Sequence, residues 1–122
     1  YATIKALNSP ESCVEEMVSR FAERRAAALA RIERMNGVYC IVPDGAFYIM
    51  LVVSGAFGKK LNGRTIETAA DFADALLDEK KVAVVPGGPF GADDCVRLSY
   101  SPSMEDMLEG LDRIDAFLSQ LK

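Results

Sequence analysis

Apolar residues at Val14, Val18, Phe21, Ala28, Ile32 and Met35 follow a 4-3-4-3-4-3 spacing in which Arg25 is the only polar position. That spacing predicts an amphipathic helix over Pro10–Met35, with one face for a core. At about 1.5 Å per residue it would run about 39 Å, long for a domain of this size. Ser9-Pro10 suits its start, with Ser9 as cap, and Asn36-Gly37 its end. Arg25 on the seam fits two readings. Either the helix packs on something beyond its own domain, or the arginine stem lies along the core with its head in water. Ala2–Leu7 upstream reads as the end of another helix, broken at Asn8-Ser9-Pro10.

Past residue 37 the period changes. Val38–Val42 reads as a short strand, Pro43-Asp44-Gly45 as a turn, and Ala46–Val53 as a strand apolar enough to be buried on both faces. Ser54–Arg64, with its glycines, Lys59 and Lys60, reads as a mobile surface loop. Thr68 and Asp71 have capping-box spacing before a helix whose buried side is Phe72, Ala73, Leu76 and Leu77, closed by Lys80-Lys81 at its negative end. Val82–Val85 is a strand stopped by Pro86-Gly87-Gly88-Pro89. Val96–Tyr100 alternates, with Val96, Leu98 and Tyr100 on one face and Arg97 and Ser99 on the other. Ser103 and Asp106 repeat the capping spacing before a last helix striped by Met107, Leu108, Leu111, Ile114, Phe117, Leu118 and Leu121. Hairpin-length connections predict an α+β, two-layer domain: a small, mostly antiparallel sheet packed with helices and preceded by a long N-terminal helix. Residues 1–36 form the long helix region and residues 37–122 the α+β body.

Composition narrows the chemistry. With 122 residues, 50% hydrophobic and 26% charged, the chain fits one domain or a piece of a larger protein. It starts mid-pattern at Tyr1-Ala2-Thr3-Ile4 without an initiator Met, a hint of truncation. A net charge of −4 and no Lys/Arg run argue against nucleic acid as a partner, and no apolar stretch is long enough for a membrane span. Cys13, Cys40 and Cys95, odd in number and without CxxC spacing, fit reduced thiols in the cytoplasm. The chain has no histidine, which excludes Ser-His-Asp and Cys-His nucleophiles and histidine-ligated metals.

Candidate chemistry gathers between residues 82 and 103. A guanidinium at Arg97, turned from the core beside a glycine-rich loop, suits a carboxylate or a phosphate. Phe90 within that loop is either a pocket wall or a loop anchor. Each feature also has a plainer reading: Pro86–Gly91 as a tight strand connection, Arg97 as a solvated strand residue, Asp93-Asp94 as a solvated turn, and Met104 and Met107 as core. The loop has neither P-loop nor dinucleotide spacing.

In combination these segments are more specific. Pro43-Asp44-Gly45-Ala46-Phe47-Tyr48, Leu76-Leu77, Val82-Ala83-Val84-Val85-Pro86-Gly87, Phe90-Gly91, Val96-Arg97-Leu98-Ser99, Ser103 with Glu105, and Arg113-Ile114 occur in that order. With Phe21 and Arg24-Arg25 upstream, the series resembles the C-terminal part of the fold-type I, pyridoxal-phosphate-dependent aminotransferases. It is most similar to their class I/II group, which includes the aspartate aminotransferases. The resemblance covers nearly all of this chain but only about the last third of a family member. It implies that Arg97 binds the α-carboxylate of an amino-acid or 2-oxo-acid substrate and that Phe90 lies near it. Ala92-Asp93-Asp94-Cys95 departs from the commoner pattern of that loop. It also implies that the Schiff-base lysine, the phosphate-binding residues and the pyridine-nitrogen aspartate lie in a large domain upstream. The expectation is therefore a small-domain fragment of a homodimeric enzyme. Alone it would be without pyridoxal phosphate, inactive and prone to self-association through Pro10–Met35. The competing expectation is a free-standing α+β module that binds a small anion or mediates dimerisation.

Overall fold

The computed structural model describes residues 1–122. Four helices, α1 (Ala2–Leu7), α2 (Ser12–Ile32), α3 (Ala69–Lys80) and α4 (Met104–Leu118), accompany six short strands. The strands are β1 (Tyr39–Cys40), β2 (Tyr48–Val52), β3 (Lys60–Leu61), β4 (Arg64–Thr65), β5 (Val85–Pro86) and β6 (Cys95–Ser99). Four of them form a sheet in the order β1-β2-β6-β5, antiparallel throughout. This is the α+β arrangement that the hairpin-length connections imply, with β6 at the centre between β2 and β5.

Register sets the two faces of the sheet. Met50 and Val85 both pair with Arg97, and Tyr48 pairs with Ser99, so these five share one face. Ile49, Leu51, Val96, Leu98 and Tyr100 occupy the other and enter a core with Ala28 and Ile32 of α2, Phe72 and Leu76 of α3, and Leu111, Ile114 and Phe117 of α4. Phe72 and Phe117 meet edge to face, ring centroids 5.3 Å apart, where α3 crosses α4. The helical layer thus lies on one face of the sheet, and Arg97 lies on the other.

Helix ends follow local chemistry. At α3, the Thr68 hydroxyl accepts the Asp71 N–H (3.1 Å) while the Asp71 carboxylate accepts the Thr68 N–H (3.0 Å), a complete capping box. At α4, Ser103 accepts the Asp106 N–H, but the Asp106 carboxylate takes the Ser103 hydroxyl, at 2.6 Å, instead of a backbone donor. The expected start of α2 is corrected. Ser9 donates its hydroxyl back to the Lys5 carbonyl at 2.6 Å, closing α1, and α2 begins at Ser12 after Glu11. At its far end α2 stops at Ile32, and Met35 enters the core from a turn that ends at Gly37, φ 82°. Its seam is only half used: Ala28 and Ile32 are buried, whereas Val14 (52% exposed) and Val18 (61%) are not.

Three further expectations change. Leu77, assigned to the buried side of α3, is 47% exposed, because α3 turns Phe72, Ala73, Ala75 and Leu76 inward. Within Ser54–Arg64, β3 and β4 form a hairpin around Asn62 (φ 50°) and Gly63 (φ 84°), the left-handed pair that a two-residue turn demands. Arg64 fixes it to Asp78 of α3, and Lys60 exchanges backbone hydrogen bonds with Lys122. The expected Val82–Val85 strand is paired only at Val85–Pro86, opposite Arg97 and Val96 of β6. No helix is long and apolar enough to cross a membrane.

Candidate functional site: an arginine between two aromatic rings

The site begins with a glycine that cannot be anything else. A Cβ on Gly87 would lie 2.2 Å from the Ala92 carbonyl oxygen and 2.7 Å from that of Cys95. That close approach lets Gly87 donate its N–H to Cys95 (2.8 Å) and accept from Phe90 (2.8 Å) and Ala92 (3.2 Å). Residues 87–95 are thereby folded onto the end of β6, with a 3₁₀ turn at Gly88–Phe90 that ends at Gly91, φ 75°. The turn holds Phe90 over the outer face of the sheet.

Arg97, half-buried in mid-strand, carries its guanidinium carbon to 4.5 Å from the Phe90 ring centroid. From β2, Tyr48 supplies a second ring at 5.3 Å. Both distances fall within cation–π range. The guanidinium makes no hydrogen bond or ion pair in the chain. Arg20, Arg31, Arg64 and Arg113 each meet a carboxylate, and Arg24 and Arg25 donate to the carbonyls of Ser101 and Pro43. Rings against a guanidinium leave its planar fork of N–H donors free to take an acceptor edge-on. A carboxylate, which accepts two parallel bonds, matches that fork.

A second turn positions Tyr48. Ala46 adopts φ 64°, uncommon for a residue with a Cβ, and its carbonyl accepts the Tyr100 hydroxyl at 2.7 Å. The Phe47 carbonyl accepts the Tyr100 N–H (2.9 Å) and the Ser99 hydroxyl (3.2 Å). Helix α2 braces the same turn. Phe21 meets Tyr100 edge to face at 6.2 Å, and Arg25 donates to the Pro43 carbonyl at 2.8 Å. Arg25 is therefore engaged within its own domain, its head on a carbonyl. The geometry thus brings Arg97 and Phe90 together and adds Tyr48, which sequence reasoning missed. The signal lay in strand pairing: Tyr48 shares a face with Arg97 only once the β2–β6 register is known.

Cys95 lies on the same face as Arg97, two residues earlier and covered by the loop. Burial pushes its thiol up to about 11, helped by its hydrogen bond to the Asp94 carboxylate and that group's negative charge. Burial also raises Cys40.

The residues present do not by themselves fit pyridoxal phosphate. No hydrogen bond joins a lysine amine to Arg97, Phe90 or Tyr48; the Lys81 amine donates to the Asp78 carbonyl at 2.8 Å and the Lys59 amine lies by Gly37.

Comparisons with known proteins agree with one another. The model of the family "Aminotransferase class I and II" matches residues 1–114. The chain is 39% identical over 115 residues to a probable aspartate/prephenate aminotransferase of Rickettsia felis, covering 93% of this chain and 28% of that protein. It is 36% identical over 119 residues to an aspartate aminotransferase of Streptomyces avermitilis, covering 98% and 29%. The crystal structure of the aspartate aminotransferase of Rhizobium meliloti superposes with a TM-score of 0.94 at 37% identity, over 99% of this chain and 30% of that one. The chain thus spans less than a third of the length of the relatives it matches. With a family model matched over nearly its whole length and a shared fold, this chain belongs to the class I and II aminotransferases.

Proposed function

We propose that this chain is the C-terminal small domain of a pyridoxal-phosphate-dependent, aspartate aminotransferase-like enzyme, and that Arg97 binds the α-carboxylate of its amino-acid and 2-oxo-acid substrates. The observation that carries the reading is the Arg97 guanidinium: within cation–π distance of both Phe90 and Tyr48, with none of its donors paired in the chain. Membership of the family and similarity to aspartate aminotransferases support the reaction class. The cofactor, which would serve as the electron sink of amino transfer, would be held by residues outside this chain, in a parent that acts as a homodimer. Phe90 would wall the pocket on the side of the 87–95 loop.

The test is kinetic, in the full-length protein that carries this segment. Removing one partner of a buried hydrogen-bonded charge pair costs about 2–5 kcal/mol. At ~1.4 kcal/mol per factor of ten, Arg97→Ala should lower kcat/KM for aspartate by between ~30-fold and several thousand-fold. Arg97→Lys should recover part of this, since an ammonium keeps the charge and loses the fork. The cofactor spectrum should be unchanged in both. A kcat/KM near wild type in Arg97→Ala would reduce Arg97 to a solvated strand residue.

A further inference from the structure

We propose that Tyr48 is a positioning residue for substrate binding: its ring fixes the plane of the Arg97 guanidinium, so that the unpaired fork meets a substrate carboxylate in one orientation. The inference rests on the reading of Arg97 as the carboxylate ligand and assigns a role to a residue that contributes no donor of its own.

An arginine side chain has four rotatable carbon–carbon and carbon–nitrogen bonds, and an unrestrained guanidinium samples many planes. Most other arginines of the chain are held through their donors, as Arg31 is by Asp112 (3.0 Å) and Arg25 by the Pro43 carbonyl (2.8 Å). An arginine held in that way has already spent donors on the protein. At Arg97 the neighbours are rings instead, with the guanidinium carbon 4.5 Å from the Phe90 centroid and 5.3 Å from that of Tyr48, distances that suit rings lying against the faces of the guanidinium. A fork held by its faces keeps its edge donors for the ligand, and little side-chain freedom remains to be lost when the ligand binds.

The two rings are mounted differently. Phe90 sits on an exposed 3₁₀ turn, whereas Tyr48 opens β2 in direct register with Ser99 of β6, the strand that carries Arg97. The turn before it is fastened by the hydrogen bond from Tyr100 to Ala46 and by the two bonds that the Phe47 carbonyl accepts. Tyr48 is therefore the fixed wall and Phe90 the one that rests on a loop. The Tyr48 hydroxyl makes no hydrogen bond in the chain, so the ring itself is what Arg97 uses. Stacking of this kind is worth enough to change a binding constant by about 3- to 30-fold in a site closed to water.

A double-mutant cycle in the full-length protein separates this role from a merely structural one. The probe is single-turnover amino transfer from aspartate in the wild type, Tyr48→Leu, Arg97→Ala and the double variant, with Tyr48→Phe as the conservative control. Tyr48→Leu should lower kcat/KM by about 3- to 30-fold in the wild-type background and by less than about 2-fold when Arg97 is already alanine. Tyr48→Phe should restore the rate. An equal loss in both backgrounds would show that Tyr48 only supports the sheet and would overturn the proposal, as would no loss at all. If Arg97→Ala alone leaves kcat/KM unchanged, the carboxylate reading itself fails, an outcome distinct from the others. Should Tyr48→Leu not fold, Tyr48→Met keeps a flexible apolar side chain there and serves in the same cycle.

Discussion

Two residues apart on β6, a thiol and a guanidinium share one face of the sheet and have opposite fates. Cys95 is 7% exposed under the 87–95 loop, while Arg97 next to it keeps its donors free. The buried thiol leads to a measurable asymmetry among the cysteines. Cys13 is exposed and should react first with a thiol reagent at neutral pH, whereas Cys95 should remain unmodified; mass spectrometry of the labelled peptides reads both. The same shift enters stability. Because the folded pKa of Cys95 lies above its ordinary value of 9.0, the native state keeps a proton that the unfolded chain loses. That contribution is fully present below pH 9 and is lost as pH rises through about 11. Other groups titrate in this range, so the checkable quantity is a difference: Cys95→Ala should flatten the alkaline fall of the denaturation midpoint relative to wild type. Asp71 has the opposite sign. The Thr68 hydroxyl and the Glu67 backbone N–H hold its carboxylate below the usual range. Its contribution is present above the unfolded carboxylate value and disappears as pH falls through the folded one.

Between elements, the turns carry the tightest requirements. Gly87→Ala would place a methyl group against two backbone oxygens, neither of which can move without opening the 87–95 loop. The expected result is a fall in thermal midpoint together with faster labelling of Cys95, since the same loop covers the thiol; a stable variant with Cys95 still protected would show that the loop is not its cover. Ala46→Gly should act the other way, relieving a left-handed alanine, although greater freedom in the unfolded chain offsets part of the gain. Thr68→Ala removes the α3 cap and should lower the midpoint by about 2–6 °C. The capping residues and apolar stripes of α3 and α4 could be read in the sequence because they are local signals a few residues apart. So could the alternation of β6, which turns Arg97 outward. The start of α2 could not, because a serine hydroxyl can either accept from the helix ahead or donate to the one behind, and Ser9 donates to Lys5 of α1. Asn62-Gly63 carried a hairpin signal that two-residue strands made easy to take for a loop. Tyr48 depended on the register between β2 and β6, which sets Tyr48 opposite Ser99 and Met50 opposite Arg97, information that no local pattern contains.

At the scale of the molecule, the apolar surface is unevenly distributed. The body buries a continuous core, but the first two turns of α2 expose Val14 (52%), Met17 (56%) and Val18 (61%), and α1 beside them in sequence exposes Ile4 (63%) and Leu7 (81%). Within each helix these side chains recur at helical spacing, so each presents an apolar stripe instead of scattered single residues. Contiguous apolar surface of this kind is the usual mark of a covered face. In the proposed parent, about 70% of the length lies outside this chain, judged from coverage near 30% of the relatives, and that part would supply the cover. Prepared alone, the 122-residue chain should therefore self-associate through the N-terminal half of α2. The apparent mass from light scattering should rise with concentration and depend little on salt, because the contact is apolar and the nearby Arg20–Glu16 pair is exposed. Replacing Val14 and Val18 together by glutamate should restore a monomer without lowering the thermal midpoint much, since neither residue belongs to the core. The same preparation, given pyridoxal phosphate, should show no stoichiometric absorbance from a lysine adduct and no amino transfer, as in the proposed parent the Schiff-base lysine lies outside this chain. A monomer at every concentration would mean that the stripe is solvated as it stands, and turnover with a bound cofactor would mean that the chain is an enzyme in its own right and not one domain of a longer one.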